Sequence, residues 1–196
     1  MPAAAVERAS WRVGMPVGPL AVQDEVTLTL IKKAHDTHLE LDERLGVKNG
    51  FPAINNSAVA VGHDLIAMGR TGRKAGAGFY DYHADGSKSL WPGLTKYIVG
   101  NSKIEMQDAE DRLLYRQAIE TLRCYNEGVL ISEAEANIGS IFGIGFPAWT
   151  GGALQYIRLI GVETFAARAA ELADAYGPRF ALPADAFDKL RVAKVA

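Results

Sequence analysis

The fold is decided by residues 110–157, which read EDRLLYRQAIETLRCYNEGVLISEAEANIGSIFGIGFPAWTGGALQYI. Apolar residues recur at helical spacing through the first half of this stretch, so we predict a helix over residues 108–131. Ser132 followed by Glu135 has the spacing of a capping box, which predicts that a short helix starts there. A glycine-rich turn around Phe146-Pro147 then ends that helix. The stretch therefore predicts helices joined by tight turns.

A shorter version of the same turn lies near the start of the chain. Residues 12–26 read RVGMPVGPLAVQDEV, and placing Pro16 on Pro147 also places Gly14 on Gly145. The same alignment pairs Trp11 with Phe142 and Asp24 with Gln155. A proline after a glycine suits a tight junction between helices, because glycine accepts unusual backbone angles and proline presets φ. The repetition predicts two related helical units, residues 1–100 and 101–196, packed across a pseudo-symmetric interface.

The remaining periodicity is also helical. We predict further helices over residues 3–11, 20–45, 57–68, 151–160, 162–176 and 184–192. Gly46 is the expected C-cap of the long second helix, and Asn55, Asn56 or Ser57 is the expected N-cap of the third. Residues 83–100 are expected to be irregular, and only residues 78–82 have strand character. The predicted fold class is all-α.

Composition excludes several classes of function. The net charge is −2, from 21 basic and 23 acidic residues, so nothing favours general binding to nucleic acid or to an anionic membrane. The single cysteine, Cys124, indicates a reducing compartment. The first residues lack the basic start and apolar core of a signal peptide, so we expect a cytoplasmic protein. Residues 138–157 carry no charge, but five glycines and Pro147 predict a buried turn there rather than a membrane span.

Three segments resemble a known family. Residues 14–26, 69–82 and 141–152 are similar, in this order, to the C-terminal helical region of 3-hydroxyacyl-CoA dehydrogenases. The two-copy arrangement resembles the α-subunit of multifunctional fatty-acid β-oxidation enzymes, where a hydratase/isomerase domain and an NAD-binding domain precede two such repeats. The resemblance implies a fold of the 6-phosphogluconate dehydrogenase C-terminal-like type. It also implies an acyl-CoA substrate and NAD in the parent enzyme, and a thiolase subunit as a partner.

The chain also departs from that family. No Gly-x-Gly-x-x-Gly follows a strand, and the glycines of residues 72–78 have a different spacing and lead into Phe79 rather than into a helix. The family's catalytic His–Glu pair lies in its NAD-binding domain, and its active-site asparagine lies on the helix that would precede Ala3. No position here matches them. We therefore assign no catalytic, cofactor-binding or metal-binding residue, and we expect these 196 residues alone to be inactive.

The expected function is the C-terminal helical part of a 3-hydroxyacyl-CoA dehydrogenase, which contributes subunit packing and encloses the acyl-CoA. The alternative is a non-catalytic helical interaction module. Val6, Trp11 and Val13 are expected to expose an apolar face in the absence of a preceding helix, which favours self-association as a two-fold dimer. A monomer in which residues 20–45 fold back over this face is the alternative.

One loop has the character of an anion site. Arg70, Arg73 and Lys74 lie among glycines, so backbone N–H groups and cationic side chains could converge on a phosphate of coenzyme A. The alternative is a structural crossover whose arginines pair with carboxylates of a neighbouring helix. Both interpretations stay open at the level of sequence.

Other candidates have structural interpretations. His35 and His38, with Asp36, Glu40 and Asp42 beside them, fit the solvated face of a helix better than a metal site, because no third ligand of clear spacing follows. Cys124 is expected to be a core thiol, and Glu120 beside an apolar stripe needs a partner. The remaining candidates are the large aromatic residues, which could line an acyl channel but are expected to form core or interface: Trp11, Phe142, Phe146, Trp149 and Tyr156.

Overall fold

Helices dominate the structure, a computed structural model that describes residues 1–46, 56–98 and 104–192. The predicted all-α class is confirmed. The α-helices are α1 Ala3–Arg12, α2 Pro19–Val26, α3 Leu28–Leu45, α4 Asn56–Ala67, α5 Met106–Asn126, α6 Glu133–Ile144, α7 Ala153–Ile160, α8 Val162–Tyr176 and α9 Asp188–Val192. Short 3-10 helices cover Arg73–Ala75, Pro92–Tyr97, Ala148–Thr150 and Pro178–Phe180. Among the described residues, no helix is long and apolar enough to cross a membrane.

A small hairpin is the exception to the helical pattern. Strands β1 Tyr80–Tyr82 and β2 Lys88–Leu90 pair antiparallel, with Tyr80 opposite Leu90. The expectation that residues 83–100 are irregular is wrong for β2 and for the 3-10 helix Pro92–Tyr97. A strand of three residues is too short for an alternating pattern to reveal it.

The contacts divide the chain into two compact units. The first comprises Met1–Arg8 and Gly18–Lys103, and the second comprises Ala9–Val17 and Ile104–Ala196. This division differs from the predicted boundary at residue 100 mainly because Ala9–Val17 belongs with the second unit. Val13 is buried in that unit's core and Met15 packs against it, so this segment is held by apolar contacts, and the expectation that Val13 is exposed is wrong.

The first unit is built on α2, α3 and α4. Its core contains Ala21, Leu28, Leu65, Phe79, Tyr80 and Leu94. Gly46 ends α3 in the left-handed conformation, with φ of 64°, as predicted for its C-cap. The predicted third helix begins at Asn56, and the N-cap candidate Asn55 lies outside the described residues.

The long helix predicted over residues 20–45 is broken at Thr27. Thr27 has φ of 74° and ψ of 133°, which ends α2, and its hydroxyl oxygen then caps α3 by accepting from the N–H of Leu30 at 3.3 Å. The N–H of Leu28, the residue after Thr27, donates to the carbonyl oxygen of Thr71 at 3.0 Å. The sequence concealed this break, because the apolar spacing continues across it and a β-branched residue rarely has positive φ.

The second unit is centred on α5. Leu114, Ala118, Ile119 and Leu122 on this helix are buried, and the Tyr115 ring stacks on that of Phe165 with centroids 4.3 Å apart. Helix α5 ends at Asn126 and not at the predicted residue 131, because Gly128 turns the chain with φ of 78°.

Two other helix boundaries in this unit can be compared with prediction. The oxygen of Ser132 accepts from the N–H of Glu135 at 3.2 Å, so the predicted N-cap is confirmed, while the Glu135 carboxylate accepts from the N–H of Ile131. The last helix, predicted over residues 184–192, is limited to α9.

Candidate functional site

A buried carboxylate organises the glycine-rich loop of residues 69–78. Asp24, on α2, is fully buried and accepts hydrogen bonds from the N–H of Phe79 at 2.8 Å and of Tyr80 at 2.9 Å. The hydroxyl of Tyr82 donates to the same carboxylate at 3.1 Å. A buried carboxylate is costly unless hydrogen bonds compensate for its lost hydration. These three donors hold the end of the loop and the start of β1 against α2.

Two glycines make that approach feasible. A Cβ at Gly78 would overlap the carboxylate of Asp24, and a Cβ at Gly72 would lie 2.5 Å from the Asp24 carbonyl oxygen. Gly72 also has φ of 128°, which side chains rarely tolerate. These two glycines therefore allow the loop to pack on α2.

The loop's cationic residues have different environments. The Arg70 guanidinium donates to the carbonyls of Gly78 and Tyr80 and to the carboxylate of Asp81 at 2.7 Å. It also stacks over the ring of Trp91, 4.3 Å from the centroid.

Arg73 and Lys74 are exposed, unlike Arg70. Arg73 pairs with Glu25 of α2 at 2.7 Å, and no partner of Lys74 is found among the described residues. The contacts of Arg70 and Arg73 favour the structural crossover, and the anion site stays a prediction.

Burial and neighbouring carboxylates raise the pKa values of two tyrosines in this region. Burial is the larger cause for both phenols, and the charge of Glu7 adds to it at Tyr80 and that of Asp24 at Tyr82. Both phenols therefore stay protonated at neutral pH. Tyr82 acts as a hydrogen-bond donor, which suits a structural partner of Asp24 better than a general base.

The turn of residues 14–18 is the second feature predicted from sequence. Glu7 of α1 is buried, and its carboxylate accepts from the N–H groups of Leu20 at 2.7 Å and of Ala21 at 3.3 Å. These are N–H groups in the first turn of α2, which have no partner within the helix. Gly18 precedes that helix, and a Cβ there would overlap the Glu7 carboxylate.

The turn of residues 145–152 is built on the same plan. The Asn137 side-chain oxygen accepts from the N–H groups of Leu154 and Gln155, each at 3.0 Å, in the first turn of α7. Gly152 precedes α7, and a Cβ there would overlap Asn137. A capping side chain on the preceding helix, followed by a glycine that makes room for it, therefore occurs in both places. Gly161, with φ of 91° and ψ of 135°, then joins α7 to α8 as Thr27 joins α2 to α3.

The two turns also contact each other within the second unit. A Cβ at Gly145 would lie 3.3 Å from Pro16, and one at Gly14 would lie 3.7 Å from Pro147. The glycine of each turn thus faces the proline of the other. The indole N–H of Trp149 donates to the carbonyl of Val13 at 2.7 Å and ties the turns together. Sequence reasoning paired these glycines and prolines, but it missed the capping residues, since Glu7 and Asn137 differ in chemistry.

Cys124 lines a groove between α5 and α6 with a volume of about 610 Å³. It is only partly buried, so the predicted core position is wrong. Burial, followed by the charges of Glu120 and Glu127, raises the pKa of the thiol above its ordinary value, which suppresses the nucleophilic thiolate at neutral pH. Glu120 has its expected partners, with Arg116 at 2.8 Å and Arg123 at 3.6 Å.

The aromatic residues fall into two groups. Phe146 and Tyr156 are buried in the second unit's core, as expected. Trp11, Phe142 and Trp149 have exposed fractions of 60%, 85% and 62%, so a core position is wrong for these three. The aromatic character of a turn does not tell which rings face the core.

The histidine-rich face of α3 is partly exposed. Among the described residues, no three His, Cys, Asp or Glu side chains lie close enough together to hold a metal ion. His35 and His38 both face a cleft between α3 and α4.

Comparison with known proteins gives the family. Residues 2–82 match the sequence profile of the 3-hydroxyacyl-CoA dehydrogenase C-terminal domain. These residues form such a C-terminal domain. The loop organised by Asp24 and the turn capped by Glu7 both belong to it.

A relative and a solved structure extend the similarity over the second unit. Fatty acid oxidation complex subunit alpha from Shewanella frigidimarina (strain NCIMB 400) is 33% identical over 189 residues, which is 94% of this chain and 25% of the relative. The chain thus spans a quarter of that relative's length. The crystal structure of the dehydrogenase part of multifunctional enzyme 1 from C. elegans aligns with 96% of this chain and 42% of its own, with a TM-score of 0.63 and 21% identity. At that identity the likeness shows the fold alone.

The described residues do not fit a nicotinamide dinucleotide. Such a site needs a strand, a glycine loop and a helix N-terminus in succession. Here the glycine loop of residues 69–78 leads into β1, and its backbone is packed on Asp24. We therefore derive no hydride-transfer step from this part of the chain.

Proposed function

We propose that the chain is the helical part of an NAD-dependent 3-hydroxyacyl-CoA dehydrogenase of fatty-acid oxidation. In this role it encloses the acyl-CoA and packs against other parts of the enzyme, while an NAD-binding domain supplies the cofactor and the catalytic residues. The observation that carries the proposal is the match of residues 2–82 to the C-terminal domain of that dehydrogenase. The relative of 33% identity is a subunit of a fatty acid oxidation complex, which supports the same assignment.

We further infer that residues 1–100 and residues 101–196 are related repeats. Each repeat contains a helix that ends in a glycine–proline turn, an eight-residue helix capped by a side chain from an earlier helix, and one residue of positive φ before a longer helix. The paired positions are Glu7 and Asn137 for the caps, and Thr27 and Gly161 for the joints. The same order of helices and turns, formed by different side chains, is expected of a duplicated unit whose copies have diverged.

The partners of the whole enzyme follow from this role. We propose an acyl-CoA substrate, a homodimer, a thiolase-type partner subunit and a cytoplasmic location. If the loop of residues 69–78 binds a phosphate of coenzyme A, the exposed side chains of Arg73 and Lys74 would contact it. Arg70 is already hydrogen-bonded to Gly78, Tyr80 and Asp81. A Lys74→Ala and Arg73→Ala double variant should then weaken binding of coenzyme A and leave the fold intact.

The alternative is a non-catalytic helical interaction module. The two functions are distinguished by joining this chain to the remainder of the Shewanella subunit in place of the matching quarter. Oxidation of a 3-hydroxyacyl-CoA with formation of NADH supports the dehydrogenase assignment. A folded hybrid that binds NAD without turnover favours the interaction module.

A further inference from the structure

A cleft between α3 and α4 forms a cavity that the dehydrogenase assignment does not use. Its volume is about 350 Å³, and the described residues that line it belong to the first unit. That volume equals about a dozen water molecules in the liquid. It also lies within the range of pockets that hold small ligands.

A glycine keeps this cleft open. Gly62 lies in the interior of α4, and a Cβ there would meet no atom of the described residues within 4 Å. A glycine inside a helix is less favourable than an alanine there. No close approach of the described residues requires a glycine at this position. Its effect is to widen the cleft at the middle of α4.

The lining is apolar along its length. Leu28 and Ile31 of α3 face Val59 and Ile66 of α4 across the cavity. Such a surface favours the hydrocarbon part of a ligand, because removing apolar area from water stabilises the complex.

The polar groups of the lining are hydrogen-bond donors or can become donors. They include Lys32, His35 and His63, and the described lining contains no acidic residue. Asp36 neutralises Lys32 from outside the lining. The Nδ1 atom of His35 is buried and has no hydrogen-bond partner among the residues that the structure describes, and the Asp36 carboxylate oxygen is 3.8 Å away. Buried polar atoms are normally hydrogen-bonded, so a polar group of a ligand would suit this position.

We propose that this cleft binds an aliphatic chain of medium length that ends in a carboxylate. The chain lies along Leu28, Ile31 and Ile66, and the carboxylate accepts a hydrogen bond from His35, with Lys32 nearby. An anionic end is favoured over a cationic one because Lys32, His35 and His63 line the cleft, while the one carboxylate near His35, that of Asp36, lies outside the lining and is paired with Lys32. Neither NAD nor coenzyme A takes part in this binding, so its failure would leave the proposed function standing.

The test is titration calorimetry of the 196-residue chain with decanoate. We expect saturable binding at one site. Butyrate, which is too short to cover the apolar wall, should bind at least tenfold more weakly. Decyltrimethylammonium, with the same chain and a cationic end, should also bind at least tenfold more weakly. Equal affinity for either comparison compound would overturn the assigned chemistry.

Two matched glycine variants locate the site. Gly62→Leu fills the cleft and should weaken decanoate binding at least tenfold. Gly139→Leu places the same side chain in α6, at another helix-interior glycine whose Cβ would meet open space. This control should keep its affinity for decanoate within twofold of the unmodified chain. Loss of binding in Gly139→Leu, with Gly62→Leu unaffected, would move the ligand to the other unit and contradict the proposal.

A second variant covers the case in which Gly62→Leu does not fold. His35→Leu removes the buried ring nitrogen without closing the cleft at α4. It should reduce the preference for decanoate over decyltrimethylammonium while the helical circular-dichroism signal stays unchanged. An unchanged preference in this folded variant would overturn the assigned position of the carboxylate.

Discussion

Replacing Asp24 with asparagine should lower the free energy of unfolding of the first unit far more than a substitution on the exposed surface of α2. The carboxylate accepts from two buried backbone N–H groups, of Phe79 and Tyr80, and from the hydroxyl of Tyr82. Asparagine keeps one acceptor oxygen and turns an NH₂ group towards the remaining donors. At least one backbone N–H then loses its acceptor. A lost hydrogen bond to a charged group costs about 1.5–3 kcal/mol, and the orphaned donor makes the upper end appropriate, so we expect a loss of about 3 kcal/mol.

The neighbouring carboxylate provides the control. Glu25 is 44% exposed and pairs with Arg73, which is 63% exposed, so Glu25→Gln should cost no more than about 1 kcal/mol. The two variants remove one charge each from adjacent positions of α2. Their difference therefore isolates the buried hydrogen bonds from the effect of net charge.

Urea unfolding followed by the fluorescence of Trp91 measures this difference. Trp91 is the only one of the three tryptophans in the first unit, so Trp11→Phe and Trp149→Phe provide a reference background. With a urea slope of about 1–3 kcal/mol/M, a loss of about 3 kcal/mol lowers the midpoint by at least about 1 M. Midpoints of the Asp24→Asn and Glu25→Gln variants that agree within error would refute the role assigned to Asp24.

Two further predictions concern the helix joints and the thiol. Thr27→Gly should stabilise the first unit by about 1 kcal/mol, because glycine relieves the strain of a positive φ. This gain should exceed the loss of the Thr27 cap and the greater freedom of the unfolded chain. Gly161→Ala should destabilise the second unit by more than about 1 kcal/mol, because alanine is strained at positive φ. Thermal unfolding tests both, and a loss of stability in Thr27→Gly would count against the strain assigned to that joint. Cys124 should react with iodoacetamide more slowly than an unhindered thiol at neutral pH, since a raised pKa means less thiolate, and Glu120→Gln should increase the rate by removing a neighbouring negative charge. A rate that matches a free thiol across the pH profile would contradict the raised pKa.

The sequence predicted the helices correctly where the apolar spacing agreed with the capping and turn residues at the helix ends. The Ser132 cap, the Gly46 C-cap and the turn at Phe146 were all visible, because each depends on local chemistry that a short stretch contains. The break at Thr27 was not visible, since it depends on the contact of Leu28 with Thr71 across the fold. Tertiary contacts of this kind override the local pattern.

The candidate site was less predictable than the fold. The glycines and cations of residues 69–78 predict an anion site, but the sequence does not show that Gly72 and Gly78 make room for Asp24, which lies more than forty residues earlier in the chain. Nothing near Asp24 in the sequence identifies it as the loop's acceptor. The cap pair of Glu7 and Asn137 was hidden for a related reason, because a carboxylate and an amide can accept the same two N–H groups.

The most direct test of the central claim is the dehydrogenase activity of the hybrid Shewanella subunit that carries this chain in place of its matching quarter. The measurement is NADH formation from a 3-hydroxyacyl-CoA, with the unmodified subunit and a version lacking that quarter as references. We predict that the hybrid retains turnover within about tenfold of the unmodified subunit and that the shortened version has none. The 196 residues alone should produce no NADH. A folded hybrid that binds NAD but is as inactive as the shortened version would contradict the assignment.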